Sequence, residues 1–180
     1  MDEVGILALV HPGDGQGDAQ LAALVERLIA SGIAVFGVTQ DAPEAPRDAE
    51  GRKPAMTMRF IGETAAEVIS EDLGRMAQSC RLNAGALETI AGQLEARLAA
   101  ITPAPDLVVV AKFSKREAEG AGFRQAIGVA IGRDLPVLTT VKAEMAPAFV
   151  AFAGEFGVVT EDAETAFAWA RAASAAAATA

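Results

Sequence analysis

Tyrosine is absent from the 180 residues, and cysteine, histidine and tryptophan occur once each, as Cys80, His11 and Trp169. A lone thiol cannot close an internal disulfide, which fits a reducing compartment. One histidine and one cysteine cannot build an ordinary zinc site, so no metal centre is expected. So few tyrosine and tryptophan rings leave little on which to stack bases. Basic charge is scarce as well: 15 lysines and arginines stand against 24 acidic residues, a formal net charge of −9. Such a chain repels phosphate backbones, which excludes nucleic acid as a main partner but leaves room for a local basic patch that holds a small anion. Although 52% of the residues are apolar, no apolar run is long enough to span a bilayer, so no membrane partner is expected. The opening MDEVGILALV is acidic where a secretory leader is basic. A cytoplasmic protein is the expectation.

What is there reads as a single α/β domain over residues 1–171, with an alanine-rich tail, 172–180, expected to fray. Residues 4–10, VGILALV, are a continuous apolar run of the kind buried on both faces of a parallel sheet. The loop HPGDGQG follows. Asp18 then reads as the N-cap of a helix whose stripe is Leu21, Leu24, Val25, Leu28 and Ile29. Gly32 ends that helix and residues 33–38 give a second strand. Residues 41–54, rich in proline and charge, read as a surface loop. Met56, Met58 and Phe60 alternate with Thr57 and Arg59 ahead of a glycine turn and residues 67–70, which predicts an inserted β-hairpin. Asn83 caps a helix with Leu87, Ile90, Leu94 and Leu98 on one face, and 107–111 is a buried strand. A helix bearing Phe123, Ile127 and Ile131, a strand over 136–141, a short helix opened by Pro147 and a strand at Val158 and Val159 come next. A last helix begins at Thr160 or Glu161. The alternation predicts a doubly wound, mostly parallel sheet with a β-hairpin insertion.

In such sheets ligands sit at the carboxyl ends of strands, where loops meet helix N-termini. The first candidate is therefore the glycine loop, with Gly13, Asp14, Gly15, Gly17 and Asp18. A phosphate-binding loop needs glycines for close backbone approach, a lysine for the β- and γ-phosphates and a hydroxyl for magnesium. With Gly15 and Gly17 in the glycine positions, Asp18 takes the lysine's place and Ala19 the hydroxyl's. A carboxylate about 4 Å from a phosphate charge costs roughly 4 kcal/mol at an effective dielectric near 20. Either Asp18 caps its own helix and fills the anion site, or the loop amides bind a ligand whose hydroxyl or cation meets Asp18.

The second candidate is KFSKREAEG, beyond the strand at 107–111. In a nucleotide hydrolase that strand ends in an acid that holds magnesium through water; here it ends in Ala111 and Lys112. Lys112 and Lys115 suit an anion clamp or, if desolvated, a base, and Glu117 suits an acid or base. A solvated charged turn is the alternative. Arg124, opening the next helix, joins the ligand-binding set. The third candidate is ISEDLGRMAQSCRL, with Asp72 and Arg81: an arginine beside Cys80 would lower the thiol's pKa, whereas a simply buried cysteine is inert.

The stretches ISEDLGRMAQSCRLNAGALE and VVVAKFSKREAEGAGFRQAIGVAIGRDLPVL, behind a glycine-loop βαβ start, resemble the bacterial family known as domain of unknown function 2478. That family is often encoded beside molybdenum-transport genes. The arrangement also resembles, more distantly, the small P-loop nucleoside-triphosphatase family known from thermophiles, which implies a P-loop-NTPase-like fold. That family's loop lysine falls on Asp18, its hydroxyl on Ala19 and its acidic pair on Ala111 and Lys112; Glu117 and the glycine loop are kept. The former family usually has glycine where Ser114 stands, and a more basic stretch at 76–79.

Three readings follow. The first is a ligand-binding or regulatory domain on a degenerate P-loop-like scaffold, taking a small anion or nucleotide, with the resemblance implying a link to molybdenum metabolism. The second is a nucleotide hydrolase or phosphotransferase with non-standard catalytic residues Lys112, Lys115 and Glu117. The third is an interaction protein that pairs as a homodimer through the helix of Phe149 and Phe152. No cofactor is specified by any motif.

Overall fold

The computed structural model describes residues 5–13, 15–41, 49, 54–71, 73 and 81–177. The opening apolar run forms β1 (Ile6–His11), in which Ile6 and Ala8 join one core and Leu7 and Leu9 the other. That is the alternation of a strand covered on both faces. The glycine loop leads into α1 (Gln16–Ala30), followed by β2 (Val35–Gln40), β3 (Thr57–Phe60), β4 (Glu67–Val68), α2 (Ala84–Ala100) and β5 (Leu107–Val109). Then come the single-turn α3 (Lys115–Ala118), α4 (Arg124–Gly132), β6 (Val137–Lys142), α5 (Ala146–Ala153), β7 (Gly157–Thr160) and α6 (Ala163–Ala177).

The seven strands form a sheet ordered β4-β3-β2-β5-β6-β1-β7. β1 pairs in parallel with β6 and β7, and β5 pairs in parallel with β2 and β6. β3 and β4 form an antiparallel hairpin on the β2 edge. This is the mostly parallel sheet with a hairpin insertion that the alternation of strands and helices predicts, in the P-loop-like α/β form that the resemblance implies. α1 packs Leu21, Leu24, Val25 and Leu28 against Leu7, Leu9 and Val109 on one face, with Ala166 and Ala170 of α6 beside them. The other face carries α2, α4 and α5, whose Leu94, Ile127 and Phe149 meet Ala8, Val108 and Val137.

Local details differ from expectation for identifiable reasons. β2 covers Val35–Gln40 rather than 33–38, because Ile33 N donates to Leu28 O in closing α1 and Ala34 N donates to Asp106 Oδ2. Ile29 falls off the buried stripe of α1 and is exposed. β5 ends at Val109 instead of Ala111, although Val110 and Ala111 are fully buried. α2 starts as expected, with the Asn83 carboxamide oxygen accepting from Ala86 N at 2.9 Å. α6 is capped by Asp162, whose carboxylate accepts from Thr165 N at 2.9 Å, rather than starting at Thr160 or Glu161. It runs to Ala177, past the point where fraying was expected, with buried Ser174 donating to Ala170 O. Phe149 is fully buried and meets Phe113 edge-on at 5.3 Å, with Phe152 stacked at 5.1 Å from the same ring. Phe149 thus serves the interior, while Phe152 is half-buried at its edge. Most of the proline-rich stretch, and 74–80 with Cys80, lie outside the described residues.

Candidate functional site

Strand order decides where the polar groups gather. β6 lies between β1 and β5, so the carboxyl ends of the three adjoin. α1 leaves β1 toward one face, while α4 and α5 pack on the other. Chains that depart to opposite faces open a crevice at the strand ends. His11 ends β1 and is the register partner of Lys142, which ends β6. Lys112 follows β5 just past the buried Ala111.

The glycine loop fills the space between them. Gly13 and Gly15 have φ of 125° and 77°, conformations that side-chain-bearing residues rarely adopt. Gln16 N donates to Gly13 O at 3.2 Å, which turns the chain into α1. Lys142 runs alongside: a Cβ built on Gly13 would stand 3.9 Å from its Cε. On the other side the His11 ring covers the first turn of α1 so closely that a Cβ on Gly17 would overlap it.

Asp18 does not cap α1. Gly15 occupies the N-cap and no side chain bonds there. Asp18 sits inside the first turn, 6% exposed, with Oδ2 3.6 Å from Lys112 Nζ. Burial pushes its carboxyl pKa up, against the opposing pull of Lys112 and His11. Desolvation therefore outweighs the lysine, whose side chain is 41% exposed. His11 is as deeply buried as Asp18, and its Nδ1 finds no hydrogen-bond partner among the described residues. Burial lowers its pKa most; Asp18 raises it, Lys112 and Lys142 lower it further, and the nearby Gly13 backbone raises it. The edge thus presents two half-exposed ammonium groups, a buried carboxylate beside Lys112, the exposed Glu144 carboxylate 4.0 Å from Lys142 Nζ, and an imidazole held toward its neutral form.

The other predicted residues separate from this cluster. Glu117 is not a free acid or base. It closes a capping box on α3, accepting from Ser114 N at 2.9 Å and Ser114 Oγ at 2.6 Å, and it also takes Phe123 N at 3.1 Å. Gly122, at φ 60°, leaves room for that carboxylate; a Cβ there would overlap Oε1. Lys115 lies on the open side of α3, paired with Glu119 at 3.5 Å. The charged turn is thus a helical turn fastened by its own acid. Arg124 donates to Glu117 O at 3.2 Å and stacks over Phe152. It lines a groove of about 290 Å³ with Ile127, Ile131, Phe152 and Phe156, away from the glycine loop. Arg81 donates to Pro54 O at 2.8 Å on the hairpin side of the sheet, beside the Ser70–Leu82 bridge. Asp14 and Asp72 lie outside the described residues. Lys142 was missed in the sequence, although the rule that selects Lys112 applies equally to it, since each stands where an apolar strand ends.

Among the described residues no helix is long and apolar enough to cross a membrane, and no group of acidic, histidine or cysteine side chains is placed to hold a metal ion.

A mostly parallel sheet with a glycine loop between its first strand and first helix places the molecule among the P-loop-like α/β proteins. Within that class, residues 6–169 match the family described as "Protein of unknown function (DUF2478)", and the chain belongs to it. The chain is also 30% identical over 157 residues to the Molybdenum import ATP-binding protein ModC 2 of Bradyrhizobium diazoefficiens. That match takes in 87% of this chain but only 17% of the relative, so the chain spans a small fraction of the relative's length. No solved structure matches.

Proposed function

We propose that this chain is a ligand-binding domain that holds a small anion, or the phosphate of a nucleotide, at the carboxyl edge between the glycine loop, Lys112 and Lys142. The observation that carries the reading is the arrival of two lysines, from the ends of β5 and β6, at the loop after β1. Loop amides and ammonium groups together make an anion seat without the loop lysine of a triphosphatase. Hydrolysis is disfavoured by the same residues. Asp18 and Ala19 stand where the loop lysine and hydroxyl belong, and Lys112 stands where magnesium's acidic partner belongs. Glu117, the remaining candidate acid, has its carboxylate occupied by three donors. The relative's name supports a link to molybdenum import.

Calorimetric titration of the full chain with phosphate, sulfate, molybdate and ATP tests this. Binding of at least one of them, weakened about tenfold or more by Lys112→Ala or Lys142→Ala, is expected, since a charge-assisted hydrogen bond is worth about 1.5–3 kcal/mol. No heat from any of the four, or binding indifferent to both substitutions, would remove the proposal. Release of phosphate from ATP with magnesium would favour the enzyme instead.

A further inference from the structure

The carboxylate at the centre of this cation-rich edge sets a condition on what can bind there. Asp18 is 6% exposed and lies on the first turn of α1, whose N-terminus has no side-chain cap. With Lys112 beside it at 3.6 Å, Asp18 cancels one of the two positive charges, while Lys142 meets the exposed Glu144 carboxylate at 4.0 Å, a solvent-screened pairing that an anion can displace. A fully deprotonated oxyanion brought to this corner would place its oxygens against the Asp18 oxygens with no hydrogen between them. Such lone-pair contacts are repulsive, and removing the carboxylate from water leaves it in need of donors. An oxyanion that still carries a proton turns the contact into an O–H···O⁻ hydrogen bond, among the shorter and stronger kinds.

We infer that the site selects anions bearing a hydroxyl hydrogen, so that it takes monohydrogen phosphate or a singly protonated terminal phosphate in preference to sulfate or molybdate. This rests on the anion-site reading above and narrows it. Lys112 and Lys142 supply attraction to any anion, the loop supplies amides, and Asp18 admits only those that can donate. Burial raises the proton affinity of Asp18, which makes it a better acceptor for that hydrogen. The side chains present therefore suit a domain that responds to phosphate or to a phosphorylated ligand, and not to the tetraoxo metal anion itself.

Isothermal titration of the full chain at neutral pH and constant ionic strength, with inorganic phosphate, arsenate, sulfate and molybdate, tests the inference. All four are tetrahedral, but only phosphate and arsenate keep a proton at that pH. The expected result is that phosphate and arsenate bind about tenfold or more tightly than sulfate and molybdate. Asp18→Asn, which replaces an acceptor with an amide that can donate, is expected to bring sulfate within about threefold of phosphate. Sulfate or molybdate binding as well as phosphate to the wild-type chain overturns the inference and leaves the anion site standing. Failure of all four to bind overturns the inference, and the anion site falls with it if ATP also gives no heat. The wild-type series decides the matter without the variant, so it holds even if Asp18→Asn does not fold.

Discussion

The imidazole of His11 rests against the backbone of Gly17, in space that any larger residue would need for its Cβ. This contact joins the end of β1 to the first turn of α1. The ring is 6% exposed, and its packing against the first turn of α1 leaves no room for a further methyl. Gly17→Ala is expected to cost about 1–3 kcal/mol, the ordinary penalty for overfilling a packed site. Pairing it with His11→Ala should recover part of that loss, because the ring and the methyl compete for one volume. Urea unfolding of the two single variants and the double variant measures the coupling. Additive losses would show that the ring is not the obstacle.

Glu117 ties three donors from two separate elements to one carboxylate: Ser114 N, Ser114 Oγ and Phe123 N. Removing it strands Phe123 N in a buried place and the two Ser114 donors in a partly buried one, and unsatisfied buried donors cost about 1–3 kcal/mol each before relaxation. Glu117→Ala is therefore expected to lower the unfolding free energy by about 3 kcal/mol or more, and Glu117→Gln by clearly less. Thermal or urea denaturation checks the order. Equal, small losses from both would show that the capping box carries little of the local stability.

Glu117 also marks the boundary of what the sequence can disclose. Ser114 and Glu117 are spaced as a capping box, but in a cluster of lysines, arginines and acids that spacing competes with an equally plausible constellation of acid and base. Only the burial of Glu117 at 1% decides between them. By contrast the strands and the α2 face were legible, since Leu87, Ile90, Leu94 and Leu98 repeat at helical spacing and all are buried. The edge cluster was half legible. Lys112 stands out after an unbroken apolar run, but its approach to Asp18 depends on β6 being threaded between β1 and β5, a matter of strand order that periodicity does not encode. Asp18 as a cap was a reasonable local reading, displaced because Gly15 starts the helix earlier and turns the carboxylate toward the sheet.

Asn83 provides a prediction on firmer local ground. Its carboxamide oxygen accepts from Ala86 N at 2.9 Å with the residue extended at φ −80° and ψ 100°. Asn83→Ala is expected to cost about 1 kcal/mol, and Asn83→Asp should keep that stability. A shift of about 2–4 °C in thermal midpoint for the alanine variant is the corresponding readout. An unchanged midpoint would mean that packing of Leu87 and Ile90 alone sets where α2 begins.

The two buried titratable groups of the edge push stability in opposite directions with pH. His11 has its pKa lowered from 6.5, chiefly by burial. The unfolded chain therefore takes up a proton at this site sooner than the folded one, and stability falls as pH drops through about 6.5 and below. Asp18 has its pKa raised from 3.8, again chiefly by burial. There the folded form holds the proton longer, so its contribution is most favourable in acid and is lost as pH rises from 3.8 through the folded value. Comparison with variants separates the two. The stability of wild type relative to His11→Phe should decrease on going from pH 8 to pH 5, since only wild type has a ring to protonate. The stability of wild type relative to Asp18→Asn should decrease on going from pH 3 to pH 7, since only wild type has a carboxyl to ionise. Urea unfolding across both ranges checks the signs. A difference from His11→Phe that is flat with pH would show that the ring protonates as readily in the fold as outside it, and would remove burial as the dominant influence at this corner.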